Sequence, residues 1–189
     1  MGTRNLTMVQ FNKEIKTAQY GQWDGYPSGQ GATILEFCRN GENLEKLKLN
    51  LQKVRFFKEE EIEEFNKNIE EKNSYANWLY DNYNHRDIGG EILERIAESK
   101  EEEIVLENDL DFGYDSLFCE WAYCVNLDTN KLEVYKGFNK RPLGKKQRFY
   151  KESQKSDKYG YYAIRMIKQF DLNNLPSEKE FIAQIKGGY

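Results

Sequence analysis

Trp121-Ala122-Tyr123-Cys124-Val125-Asn126, then Leu127-Asp128-Thr129-Asn130, then Lys131-Leu132-Glu133-Val134-Tyr135-Lys136, is the stretch from which the fold is read. Aromatic and β-branched residues alternate in it with smaller or polar ones, and four residues of turn chemistry interrupt the run. Ser116 to Asn126 and Lys131 to Gly137 therefore form a hairpin. A period of two puts Trp121, Tyr123 and Val125 on one face, joined by Val134 from the partner arm.

Working outward, a second hairpin is expected at the N-terminus. Leu6 and Met8 alternate with Asn5 and Thr7, Asn12-Lys13-Glu14 turns the chain, and Ile15 to Tyr20 returns. Tyr161 to Phe170 alternates Tyr162, Ile164 and Met166 against Arg165 and reads as a further strand. The middle is helical. Ile34, Leu35 and Cys38 mark one helix from Ala32, and Leu44, Leu47, Leu51 and Val54 mark another over 42–55. Ile62, Phe65 and Ile69 mark a third from Glu59 to Lys72. Ser74 caps a turn carrying Tyr75, Trp78 and Leu79, and Asp87 caps Ile88 to Ala97. Leu175-Pro176-Ser177-Glu178-Lys179-Glu180 is a helix start, with Ser177 as cap and Glu180 at the capping-box position. The fold class is α+β: an antiparallel sheet from N- and C-terminal hairpins, covered by the helical middle segment, in one domain over 1–189. Lys140 to Lys158 is expected to be a mobile loop.

The 189 residues suffice for one core, and 39% hydrophobic, 14% aromatic and 32% charged residues exclude both a disordered chain and a membrane-embedded one. No apolar run of membrane-spanning length and no signal-peptide pattern is present, so the cytoplasm is the expected compartment. Leu6 stands where myristoylation wants Ser or Thr. Three cysteines without motif spacing indicate free thiols, and Cys119 and Cys124, an odd number apart, would point to opposite faces of one strand. Charge is unevenly placed. Lys and Arg number nine against five Asp and Glu in 1–58, five against twenty in 59–120, and twelve against three in 131–168. Such segments either neutralise one another or face solvent and partners.

A single histidine, His85, removes metal sites built from several His and Cys, and no metal or cofactor is expected. His85-Arg86-Asp87 lacks the other kinase elements, and Asp109, Asp111 and Asp115 around Gly113 miss the calcium-loop pattern. Tyr20-Gly21-Gln22-Trp23-Asp24-Gly25-Tyr26-Pro27-Ser28-Gly29-Gln30-Gly31 is different in kind. Free N–H groups at the following helix start, with Gly29 and Gly31, are expected to hold an anion. Tyr20, Trp23 and Tyr26 would stack a ring that Asp24 orients, with Gln22 and Arg4 alongside. Ile34 replaces the third glycine of a dinucleotide fingerprint. The basic residues from Lys136 to Lys158, interleaved with Phe138, Phe149, Tyr150 and Tyr159, have the composition of a nucleic-acid-binding loop, yet overall acidity makes nucleic acid an unlikely partner.

Met1-Gly2-Thr3-Arg4-Asn5-Leu6-Thr7 and Gln19 to Gly31 resemble a family of bacteriophage and prophage proteins, with distant fungal relatives similar at the Asp-x-Tyr-Pro-Ser-Gly core. The resemblance continues at Glu120 to Tyr123, Leu132 to Tyr135 and Leu175-Pro176-Ser177. It implies a phage-associated intracellular protein. The expected function is a phage-encoded binding protein that captures a small anionic or nucleotide-like ligand or blocks a host defence protein. The alternative is an N-terminal-nucleophile-like amide hydrolase or transferase centred on Thr3, Arg4, Tyr20 and Asp24, although removal of Met1 would expose Gly2 rather than a nucleophile.

Overall fold

The computed structural model describes Gly2–Lys186; Met1, which opens the N-terminal motif, and residues 187–189 lie outside the described residues. In chain order the elements are β1 Asn5–Phe11, β2 Glu14–Gly21, α1 Gln30–Arg39, α2 Gly41–Asn50, β3 Val54–Phe56, α3 Glu59–Glu70, α4 Ser74–Leu79, α5 Ile92–Ala97, β4 Ile104–Leu106, β5 Trp121–Asn126, β6 Lys131–Lys136, β7 Arg165–Asp171 and α6 Glu178–Lys186. The fold is α+β. Both expected hairpins form, β1 with β2 and β5 with β6, and Tyr123 stands opposite Val134. Asn12 and Lys13 at φ 56° and 65° give the first turn the left-handed pair that fits the twist of a tight hairpin.

The five-stranded sheet runs β2-β1-β5-β6-β7 and is mixed rather than wholly antiparallel, because β1 and β5 pair in parallel, Asn5 opposite Trp121. The helical segment between them is a crossover long enough to bring the chain back to its starting end, which parallel pairing requires. Both strands are central, and every residue of β5 is buried. Four shorter expectations are also corrected. The helix expected over 42–55 ends at Asn50, and Val54–Phe56 pairs in parallel with Ile104–Leu106 as a separate small sheet. Asn73 rather than Ser74 caps α4, accepting from the N–H groups of Tyr75 and Ala76. A short turn at Gly89–Glu91 precedes α5, with no side-chain cap from Asp87. The last strand begins at Arg165 rather than Tyr161. The Ser177–Glu180 box forms as expected, Ser177 Oγ donating to Glu180 at 2.7 Å.

Two cores flank the sheet. On one face Val9, Trp121, Tyr123, Val125, Leu132 and Val134 pack against the helices. On the other, Leu6, Met8, Ala122, Cys124 and Tyr135 pack beneath Leu143, Phe149, Ala163 and Ile164. The basic stretch over 140–158 is therefore a covering layer and not a free loop: Leu143, Phe149 and Ser153 are buried, and Ser153 Oγ accepts the Leu143 N–H at 3.1 Å. Cys119 precedes β5, so it shares this second core with Cys124 instead of facing away from it. Among the described residues no helix is long and apolar enough to cross a membrane.

Candidate functional site

Strand register gathers one end of the sheet into a single surface. Asn5 lies opposite both Gly21 and Trp121, Trp121 opposite Lys136, and Lys136 opposite Arg165. Arg4, the 20–31 loop, Glu120, Gly137, Phe138 and Ile164 consequently emerge at the same end.

The loop is locked by its own main chain. Gly25 N–H donates to Thr3 O (2.9 Å), Gln22 N–H to Arg86 O (2.9 Å) and Gln30 N–H to Asp24 O (2.8 Å). Gly29 and Gly31 both donate to Tyr26 O, at 2.9 and 3.2 Å. Buried Asn5 donates Nδ2 to Gly21 O and Trp23 O, and Tyr123 Oη donates to Gly25 O at 2.9 Å. Gly29 is required by close approach, since a Cβ there would lie 2.2 Å from Asp24 O. The expected anion cradle is thereby corrected: the amides of Gly29, Gln30 and Gly31 are taken up by carbonyls of the loop itself.

What the rigid loop presents outward is aromatic. Trp23 is 46% and Tyr26 53% exposed. Asp24 is exposed and sits at φ 53°, a conformation Asp tolerates, so its carbonyl rather than its carboxylate organises the loop. Tyr20 and Gln22 do meet, the phenol donating to Gln22 Oε1. Tyr20 also packs edge-on to Phe112 at 4.9 Å and donates its N–H to Asp109 Oδ2 at 2.8 Å. Burial raises the Tyr20 phenol pKa against the opposing pull of Arg4 and Arg86. Arg4 stacks over the half-exposed ring of Phe118 at 4.5 Å, and no hydrogen bond or ion pair to its guanidinium is found among the described residues. Phe118 belongs to this surface without any local signal in the sequence, because only the fold brings it under Arg4.

Elsewhere the chemistry is structural. Among the described residues no cluster of three or more His, Cys, Asp or Glu is placed to hold a metal. Burial pushes the thiols of Cys38 and Cys119 well above the usual range and that of Cys124 to about 12, so they are inert at neutral pH. His85 Nδ1 accepts the Asp87 N–H at 3.2 Å in the turn after α4. Sequence reasoning missed a polar network of five side chains on the second face. Arg148 donates to Glu133 (2.8 Å), Tyr135 Oη (2.9 Å) and Gln10 (2.5 Å), while Tyr135 Oη donates to Glu133 (2.5 Å) and Asn126 to its other oxygen (2.8 Å). An acidic residue within a strand of buried neighbours was the only signal available. No family model, curated protein or solved structure matches the chain.

Proposed function

We propose that this protein acts by binding another protein through the sheet end that carries Arg4, Tyr20, Gln22, Trp23, Tyr26 and Phe118, and that in a phage setting the partner is a host protein met in the cytoplasm. The observation that carries the reading is the exposure of Trp23 and Tyr26 on a loop whose main chain is held at Gln22, Gly25, Gly29, Gln30 and Gly31. Trp, Tyr and Arg dominate the energetics of protein interfaces, and rings held on a rigid backbone lose little conformational freedom on docking. Capture of a small anion by Arg4 is the second reading, favoured by a guanidinium that lies on an aromatic ring with no carboxylate partner among the described residues. The hydrolase reading has no comparable support, for Thr3 is 6% exposed and its carbonyl is bonded to Gly25.

The test is site-specific photo-crosslinking in the cells where the protein acts. A crosslinker at Trp23 should trap one discrete protein that excess unlabelled protein competes away, and one at exposed Leu49 on α2 should not. Equal patterns from both positions would remove the assignment.

A further inference from the structure

Beside this face, a cavity of about 270 Å³ opens between the end of β6 and the start of β7. Its lining includes Lys136, Phe138, Lys140, Arg141 and Arg165 and no carboxylate. Arg165 has its Nε buried with no acceptor, and neither it nor Arg141 makes an ion pair among the described residues. Cations gathered in one cavity without a carboxylate leave positive charge that an entering anion would answer. Lys140 lies over the Tyr161 ring at 5.1 Å and Lys136 over that of Trp121. The cavity floor is fixed. Asn139 donates to Ala163 O (2.9 Å), accepts from Arg141 N–H (3.2 Å), and takes Ser116 Oγ on its own N–H (3.0 Å). A Cβ at Gly137 would lie 2.1 Å from Cys119 O, so the main chain there runs as close as it can.

Phe138 supplies a second, independent observation. It holds φ 54°, a region a bulky side chain rarely occupies, and its ring stands 47% exposed at the rim of the cavity. An ordinary turn would use glycine or asparagine there.

We infer that this cavity binds the phosphate groups of a nucleotide-type ligand, with Arg165, Lys140 and Arg141 meeting the phosphoryl oxygens and Phe138 stacking the attached ring. Its volume sits at the small end of ligand sites, which suits a phosphate group with the ring resting outside. Arg over Lys at the floor is the choice for forked contact with phosphate, and the ring at the rim tolerates any base. The inference does not depend on the protein-binding face.

Calorimetric titration of the whole protein with inorganic pyrophosphate, ADP and adenosine tests it. Pyrophosphate and ADP should bind and adenosine should not. Arg165→Gln should weaken both anions at least about tenfold, as should Lys140→Gln, an exposed position that guards against misfolding. Phe138→Ala should weaken ADP and leave pyrophosphate unchanged, and Trp23→Ala should leave both unchanged. No heat from either anion up to about 10 mM, or wild-type affinity in Arg165→Gln and Lys140→Gln, would overturn the site. Equal ADP affinity in Phe138→Ala would overturn the stacking role.

Discussion

The phenol of Tyr123, inside β5, donates to the carbonyl of Gly25 at 2.9 Å and so ties the centre of the sheet to the crown of the 20–31 loop. Gly31 packs against the same ring, where a Cβ would lie 2.9 Å from the hydroxyl. Tyr123→Phe leaves a buried carbonyl without that donor and should cost about 1–3 kcal/mol. Amide hydrogen exchange should then accelerate at Gly25 and at Gly29 to Gly31, with the β5–β6 hairpin unaffected. Uniform acceleration across the sheet would mean that the bond serves the core rather than the loop.

Gly29 and Asp24 make opposite predictions although they touch. Gly29→Ala drives a Cβ into Asp24 O and should destabilise by about 2 kcal/mol, read as a fall in melting temperature. Asp24→Asn keeps a residue suited to positive φ at an exposed position, and should melt within about 0.5 kcal/mol of the parent. A stable Gly29→Ala protein would show that the loop can rearrange.

Arg148→Ala strands the Glu133 carboxylate, which is nearly enclosed, and should cost about 3–5 kcal/mol by chemical denaturation. Arg148→Met combined with Glu133→Gln should recover part of that loss, because the desolvated charges leave together. If the double variant is no better than Arg148→Ala, the hydrogen bonds that Arg148 gives Tyr135 and Gln10, rather than the stranded charge, are what matters.

Burial holds the carboxyls of Glu107 and Asp109 above the usual carboxylate range, although the Tyr20 N–H works against this at Asp109. The folded chain therefore keeps these protons to higher pH than the unfolded chain does. Stability contributed by the protonated forms is present at acid pH and lost as pH rises through the folded values. Asp109→Asn preserves an acceptor for Tyr20 and removes the buried charge, so the decline in stability as pH rises above the ordinary carboxylate range should shrink. An unchanged pH profile would exclude Asp109 as its source.

Much of this architecture is legible where the determinants are local. The alternation of Trp121, Tyr123 and Val125 places all three on the helix-covered face, and Ser177 with Glu180 starts the last helix. What escapes is whatever depends on distant partners. Val54–Phe56 and Ile104–Leu106 are three residues each, too short for a periodic signal, and they become strands only by pairing with one another. The parallel pairing of β1 with β5 leaves no trace in either strand, and the basic stretch reads as solvated until Phe149 and Arg148 are seen against the sheet. At the candidate site, glycine density marks a shaped loop, but periodicity cannot show that its amides are consumed internally or that Phe118 lies under Arg4.

The affinity of the partner trapped from position 23, measured for Trp23→Ala, Tyr26→Ala and Arg4→Ala against the parent protein, tests the central claim most directly. All three side chains lie at the surface or its edge, so melting temperatures should hold while at least one variant loses about 2 kcal/mol or more of binding, roughly thirtyfold. Parent-like affinity in all three would contradict the assignment of this face.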